Sequence, residues 1–195
     1  MFEIVKKVMA ADEAKSAIPM TPELVAIKNR RDEELRRIID GSDKRKVIII
    51  GPCSADNEDA VVDYVTRLAK LSEEVKDKFM LVPRIYTEKP RTKGEGYKGM
   101  FHSPNPHSHS TDIQQGILNL RHMHVRAIRE SGLTGADEML YPDNLDYVSD
   151  ILSYIAVGAR STENQQHRLV ASGIDVPVGI KNPMNGSLSV LLNSI

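Results

Sequence analysis

The sequence predicts an α/β fold built on a parallel sheet, on three observations. Five short runs rich in β-branched residues alternate with stretches of helical periodicity. Their spacing of roughly 20 to 50 residues suits βαβ units, in which each strand returns through a helix to lie parallel to the last. The chain has 195 residues, 41% of them hydrophobic and 27% charged, enough for one domain with a real core or at most two small ones. Two architectures share this signature. A doubly wound five-stranded sheet closes within this length, whereas a (β/α)8 barrel needs three more units and typically about 250 residues. Length alone favours the doubly wound sheet.

The first 41 residues read as an extension followed by a helix. Thr21 is a suitable N-cap, Pro22 fits the first helical position, and Leu24, Ile27, Leu35, Ile38 and Ile39 keep helical spacing up to Gly41. The opposite face, from Lys28 to Arg37, is dense in charge and reads as solvated. Residues 47–50 form the first strand, ending at Gly51-Pro52, and Val61, Tyr64, Val65, Leu68 and Val75 mark a helix through Lys76. Residues 79–86 form the second strand; Ile113, Ile117, Leu120, Val125 and Ile128 mark a helix that stops near Gly132. A third strand over 136–141 precedes a helix through Leu145, Val148, Ile151 and Leu152, and residues 155–160 form the fourth strand. Residues 162–172 are helical with Gly173 as a left-handed stop, residues 176–181 are the fifth strand, and residues 187–195 open one more helix.

Lys and Arg total 26 against 27 Asp and Glu, a formal net charge of −1, so no global positive field is available to hold a polyanion, and nucleic acid is not expected as a partner. Trp is absent and Tyr and Phe number six and three, too few for a stacking platform along single strands. A single cysteine, Cys53, makes no intramolecular disulfide, the amino terminus lacks a signal-peptide core, and no apolar run approaches the ~18 residues that span a bilayer. A soluble, cytoplasmic protein without membrane contact is expected.

In either architecture ligands sit at the carboxyl ends of the strands. Five cations, Arg84, Lys89, Arg91, Arg160 and Lys181, fall at or just beyond those ends, with only Glu88 and Glu138 close by in sequence. Cations there need anions to compensate desolvation, and Arg offers a planar fork for phosphate or carboxylate. The implied ligand is small and multiply anionic. Cys53 reads either as an inert core residue or, beside cations at a strand end, as a metal ligand or nucleophile. His102, His107, His109, His122 and His124 read as structural. The long loop from Thr87 to Thr111, with Gly94, Gly96 and Gly99, reads as a lid or binding loop whose 93–98 stretch can close over an anion.

Six stretches carry a resemblance: Ile50-Gly51-Pro52-Cys53-Ser54, Arg84-Ile85-Tyr86-Thr87-Glu88-Lys89-Pro90-Arg91-Thr92, Gly96-Tyr97-Lys98-Gly99, Gly158-Ala159-Arg160-Ser161-Thr162-Glu163, His167-Arg168, and Pro177-Val178-Gly179-Ile180-Lys181-Asn182. In this order, over most of residues 35–195, they resemble the amino-terminal half of type I 3-deoxy-D-arabino-heptulosonate 7-phosphate (DAHP) synthases, the first enzymes of the shikimate pathway. The resemblance implies a (β/α)8 barrel, of which about the first five strands are present, against the preference drawn from length. It implies condensation of phosphoenolpyruvate with erythrose 4-phosphate with a divalent metal, Mn2+, Fe2+ or similar. Carried over by motif, Cys53 is a metal ligand. Arg84, Glu138, Ala159, Arg160 and Lys181 form the phosphoenolpyruvate site, Ala159 through its backbone N–H. Lys89, Pro90, Arg91 and Thr92 hold erythrose 4-phosphate, and Lys89 also donates to the aldehyde oxygen.

The family's other metal ligands, a His, a Glu and an Asp, and a further phosphate-binding Arg belong to later strands, so the resemblance implies a truncated chain, inactive alone. Residues 1–40 are expected to serve oligomer contacts and control by an aromatic amino acid, with Asp175 near the effector, and residues 41–195 to form the partial barrel with both substrate segments. A homo-oligomer, dimer or tetramer, is implied. The competing readings are a non-catalytic remnant or regulatory anion-binding module of the same fold, and an unrelated doubly wound phosphate-binding protein. Against the last stands the absence of a Gly-rich loop after the first strand.

Overall fold

Parallel strands need crossover connections, and each strand here except the last is followed by a helical segment that carries the chain to the next. The structure, a computed structural model, describes residues 3, 4, 6–91, 93–107 and 110–195. Strand β1 (Lys46–Ile50) pairs in parallel with β2 (Phe79–Pro83), in register from Lys46 opposite Phe79 to Ile50 opposite Pro83. Strand β4 (Tyr154–Val157) lies between β3 (Ala136–Glu138) and β5 (Val178–Ile180), parallel to both. A parallel bridge from Arg84 to Ala136, with the Ile85 N–H donating to the Ala136 carbonyl at 2.9 Å, joins the two ladders. The strands therefore follow one another in chain order. A doubly wound sheet requires a point where the order reverses, and the described strands contain none, so the preference drawn from length fails.

Local signals set the long helices. Helix α3 (Glu58–Val75) starts at Asn57, whose side chain accepts from the Ala60 N–H, and α4 (Ile113–Ser131) starts at Asp112, which accepts from Gln115 N–H. Gly132 ends α4 in the left-handed region at φ 70°. The helices bury Val61, Val65 and Leu68 of α3 and Ile117, Leu120 and Met123 of α4 in one core with Leu81, Ile155 and Val157 of the strands. Helix α5 (Gln165–Ser172) starts later than the periodicity indicates, because Asn164 caps it by accepting from His167 N–H. Ser187 caps the short α6 (Leu188–Leu192) in the same way.

Three expectations need correction. The helix expected through residues 145–152 is a 3-10 helix over Pro142–Tyr147. Those six residues are themselves not buried; Val148, Ile151 and Leu152, which follow them in the segment between β3 and β4, carry the burial. Gly173 closes α5 at φ −105°, outside the left-handed region. The amino-terminal extension contains a helix of its own, α1 (Ala11–Ala17), which buries Ala14 ahead of α2 (Pro22–Ile39).

A fourth correction concerns α2. Its charged face is not wholly solvated, since Lys28, Arg31 and Asp32 are buried. Asp32 pairs with Lys28 and accepts from the Ser153 hydroxyl, while Arg31 donates to the Leu81 carbonyl at 2.6 Å and to Thr134 Oγ1 at 3.4 Å. Thr134 and Ser153 precede β3 and β4, so these charges serve the amino-terminal ends of the strands, where loop backbone needs partners. The carboxyl ends stay open for ligands. No helix among the described residues is long and apolar enough to cross a membrane.

Candidate functional site

The site starts from a close backbone approach at the end of β1. The Arg84 N–H donates to the Ile50 carbonyl at 2.9 Å, and a Cβ on Gly51 would stand 2.2 Å from the Arg84 carbonyl oxygen, so only glycine lets the two chains run together here. Arg84 then turns back: Nη1 donates to the Pro52 carbonyl at 2.5 Å and the guanidinium lies over the Tyr86 ring, 3.8 Å from its centroid. Lys181, just past β5, places Nζ 5.3 Å from the same ring and 4.0 Å from Glu138 Oε2. Glu138 ends β3 and lies against Gly158 after β4, where a Cβ would come within 2.0 Å of Oε1.

The carboxyl ends of β2, β3, β4 and β5 thus converge on one spot. Two cations gather at one aromatic ring, and a carboxylate stands beside Lys181. Burial pushes the Tyr86 hydroxyl up to about 12, against the opposing pull of Arg84, so the ring stays neutral. Such an array has the chemistry to hold a small polyanion by charge-assisted hydrogen bonds. Lys89 lies close to Cys53, with Nζ 3.6 Å from Sγ.

Of the residues singled out in the sequence, Arg84, Glu138 and Lys181 come together with Gly158-Ala159, and Lys89 joins Cys53. Arg160 follows directly, exposed past β4. Arg91 is exposed and donates from Nε to the Tyr97 carbonyl at 2.7 Å, beside Pro90. Thr92 and His109 lie outside the described residues. Cys53 is exposed, which overturns the inert-core reading. As a metal donor it stands alone: the described residues assemble no group of three His, Cys, Asp or Glu side chains around a common point. A stable site needs about four ligands, so the residues present do not by themselves fit the implied metal.

The loop from Thr87 is fastened at its base. The Lys89 N–H donates to the Lys98 carbonyl at 3.0 Å and the Met100 N–H to the Thr87 carbonyl at 2.7 Å. Gly99, at φ 101°, lets the two arms touch, since a Cβ there would sit 2.4 Å from the Thr87 carbonyl oxygen. Sequence reasoning missed Tyr86 as the platform between cations, and it missed Asp137. Both oxygens of Asp137 are used: Oδ1 accepts from Thr87 N–H at 2.9 Å and Glu138 N–H at 2.7 Å, and Oδ2 accepts from Thr87 Oγ1 at 2.6 Å and faces His124 Nε2 at 3.3 Å.

Glu88, only 5% exposed, accepts from Asn144 Nδ2 at 2.7 Å. Burial, reinforced by Asp137 and Glu138, raises its carboxyl to about 8, although the Asn144 and Tyr141 hydrogen bonds work the other way. The unfolded carboxyl titrates near 4.5, so between these values the native state holds a proton that the unfolded chain releases. The resulting stabilisation is complete below about pH 4.5 and falls by on the order of 1.4 kcal/mol per pH unit toward pH 8. Glu88→Gln is expected to flatten that decline and leave the variant relatively more stable at alkaline pH. Urea unfolding across the range checks this; parallel curves for the two proteins would contradict it.

Comparison with known proteins adds to this geometry. The model of the DAHP synthetase I family matches residues 17–194. The tyrosine-inhibited phospho-2-dehydro-3-deoxyheptonate aldolase of Candida albicans is 40% identical over 171 residues, 88% of this chain and 45% of that protein. The Tyr-sensitive aldolase of Escherichia coli is 36% identical over 187 residues, 96% of this chain and 52% of that protein. The solved structure of a phospho-2-dehydro-3-deoxyheptonate aldolase from Francisella tularensis matches with a TM-score of 0.91 and 29% identity, over 100% of this chain and 56% of that one. The chain spans about half the length of the relatives it matches.

Proposed function

The chain belongs to the DAHP synthetase I family, and from that premise we propose that it carries the phosphoenolpyruvate site, and part of the erythrose 4-phosphate site, of a DAHP synthase. The observation that carries this reading is the pair of cations, Arg84 and Lys181, gathered at the Tyr86 ring beside Glu138 and Gly158. In the reaction the enol C3 of phosphoenolpyruvate bonds to the aldehyde carbon of erythrose 4-phosphate, water adds at C2, and phosphate leaves. Arg84, Arg160 and Lys181 hold the phosphate and carboxylate, with the Ala159 N–H. Cancelling the charge on two phosphorylated substrates lets them approach to reacting distance. Lys89, with Pro90, Arg91 and Thr92, holds the sugar phosphate, and its ammonium donates to the aldehyde oxygen as the new bond forms.

The chain-order succession of parallel strands supports reading residues 41–195 as part of a (β/α)8 wall, with α1 and α2 as a preceding segment for oligomer contacts. Tyr-sensitive and Phe-sensitive relatives support control by an aromatic amino acid. Cys53 offers one metal donor, so the 195-residue chain is proposed to bind but not to turn over.

Calorimetric titration with phosphoenolpyruvate tests the reading. One site per chain, weakened by added salt, is the expected result, with no DAHP formed on adding erythrose 4-phosphate and Mn2+. Failure to bind would remove the anion site, and product formation would overturn the proposal that these 195 residues bind without turnover.

A further inference from the structure

We propose that Asp137 is a positioning residue, a buried tether that fixes the erythrose 4-phosphate loop and the phosphoenolpyruvate pocket to each other. The inference rests on the site proposed above but names a residue and a function that site does not include.

Asp137, Thr87 and His124 are 5%, 4% and 1% exposed, too deep to touch a substrate bound at the strand ends. The tether works through what they hold. Thr87 is the residue from which the loop carrying Glu88, Lys89, Pro90 and Arg91 departs, and Asp137 takes both its N–H and its hydroxyl. The same Oδ1 takes the N–H of Glu138, the carboxylate beside Lys181. One carboxylate therefore sets the starting direction of two substrate segments from neighbouring strands. Bidentate anchoring by a side chain that is itself packed removes the freedom that would let either segment drift, and displacements of about 1 Å are costly to reacting groups.

His124 makes the arrangement specific for a carboxylate. Its Nε2 meets Asp137 Oδ2, while Nδ1 is buried without a hydrogen-bond partner and faces the position a Cβ would take on Gly135, 3.3 Å away. A proton on Nε2 satisfies the pair. An amide in place of the carboxylate turns an NH2 group toward that N–H, and shifting the proton to Nδ1 buries it without an acceptor. Asp137→Asn therefore breaks the tether although it preserves shape.

The test compares the chain with Asp137→Asn, Thr87→Val and Thr87→Ser, using ligand-free hydrogen exchange and phosphoenolpyruvate titration. Asp137→Asn is expected to speed exchange about tenfold in peptides covering 85–91 and 136–141 and to weaken phosphoenolpyruvate about fivefold. Thr87→Val, which keeps the backbone N–H bond to Asp137 but loses the hydroxyl bond, is expected to loosen 85–91 and not 136–141 and to weaken phosphoenolpyruvate less than Asp137→Asn does, and Thr87→Ser, which keeps the hydroxyl, to match the parent. Peptides from α3 and α4 are expected to exchange as in the parent. Unchanged exchange in both segments, or acceleration spread evenly through the chain, would overturn the tether. If the parent chain fails to bind phosphoenolpyruvate, the proposed site is wrong, and the exchange pattern still decides whether the two segments are held by Asp137.

Discussion

Arg84→Ala is expected to lower phosphoenolpyruvate affinity about 100-fold, on the scale of 1.5–3 kcal/mol for a hydrogen bond to a charged group. The side chain arrives with its orientation already set. The Pro52 carbonyl takes Nη1 and the Tyr86 ring supports the guanidinium plane, so little conformational freedom is lost when an anion binds. Arg84→Lys keeps the charge but lacks the planar fork that uses both supports, and is expected to recover only part of the loss. Tyr86→Leu preserves apolar bulk without the ring quadrupole. It removes an interaction worth about 0.5–2 kcal/mol and is expected to weaken binding by a smaller factor. Calorimetry on the three variants gives the order Arg84→Ala, then Arg84→Lys, then Tyr86→Leu in decreasing loss. An Arg84→Ala affinity within about threefold of the parent would remove Arg84 from the site.

The sequence reading succeeded where information is local and where topology converts it to position. Thr21 announces a helix start because a cap acts within three residues. Arg84, Glu138 and Lys181 could be found because parallel strands deliver their carboxyl ends to one side, so the residue after each apolar run is a site candidate before any contact is known. Tyr86 was not legible as a platform, since its role needs Lys181 from nearly one hundred positions away. Asp137 was hidden by its place next to the more conspicuous Glu138, and its partner His124 by an ordinary helical setting. The burial of Arg31 was illegible for the same reason: its acceptors Leu81 and Thr134 lie 50 and 103 positions along the chain. Pattern reading assigns a charged stripe to solvent unless something remote answers it.

Asp32→Ala is expected to destabilise the chain by about 3–5 kcal/mol, the scale for removing one partner of a buried ion pair. The Lys28 and Asp32 side chains are 11% and 8% exposed, so the ammonium left behind has little water to replace its partner. Ser153, which is fully buried, also loses the acceptor of its hydroxyl. For a chain of this size that loss corresponds to a fall in Tm of roughly 10 °C. Arg31 remains bonded to Leu81 and Thr134, so α2 stays docked at one point and unfolding should remain cooperative. The double variant Lys28→Met/Asp32→Leu removes both charges and is expected to recover most of the loss, because the cost lies in an orphaned charge more than in a missing attraction. Urea unfolding of Lys28→Met, Asp32→Leu and the double variant gives the coupling directly. The proposed anion site lies at the opposite ends of the strands, so phosphoenolpyruvate affinity of folded Asp32→Ala is expected to stay near that of the parent. A solvated face would give a change within about 0.5 kcal/mol, and that result would restore the polar-stripe reading of α2.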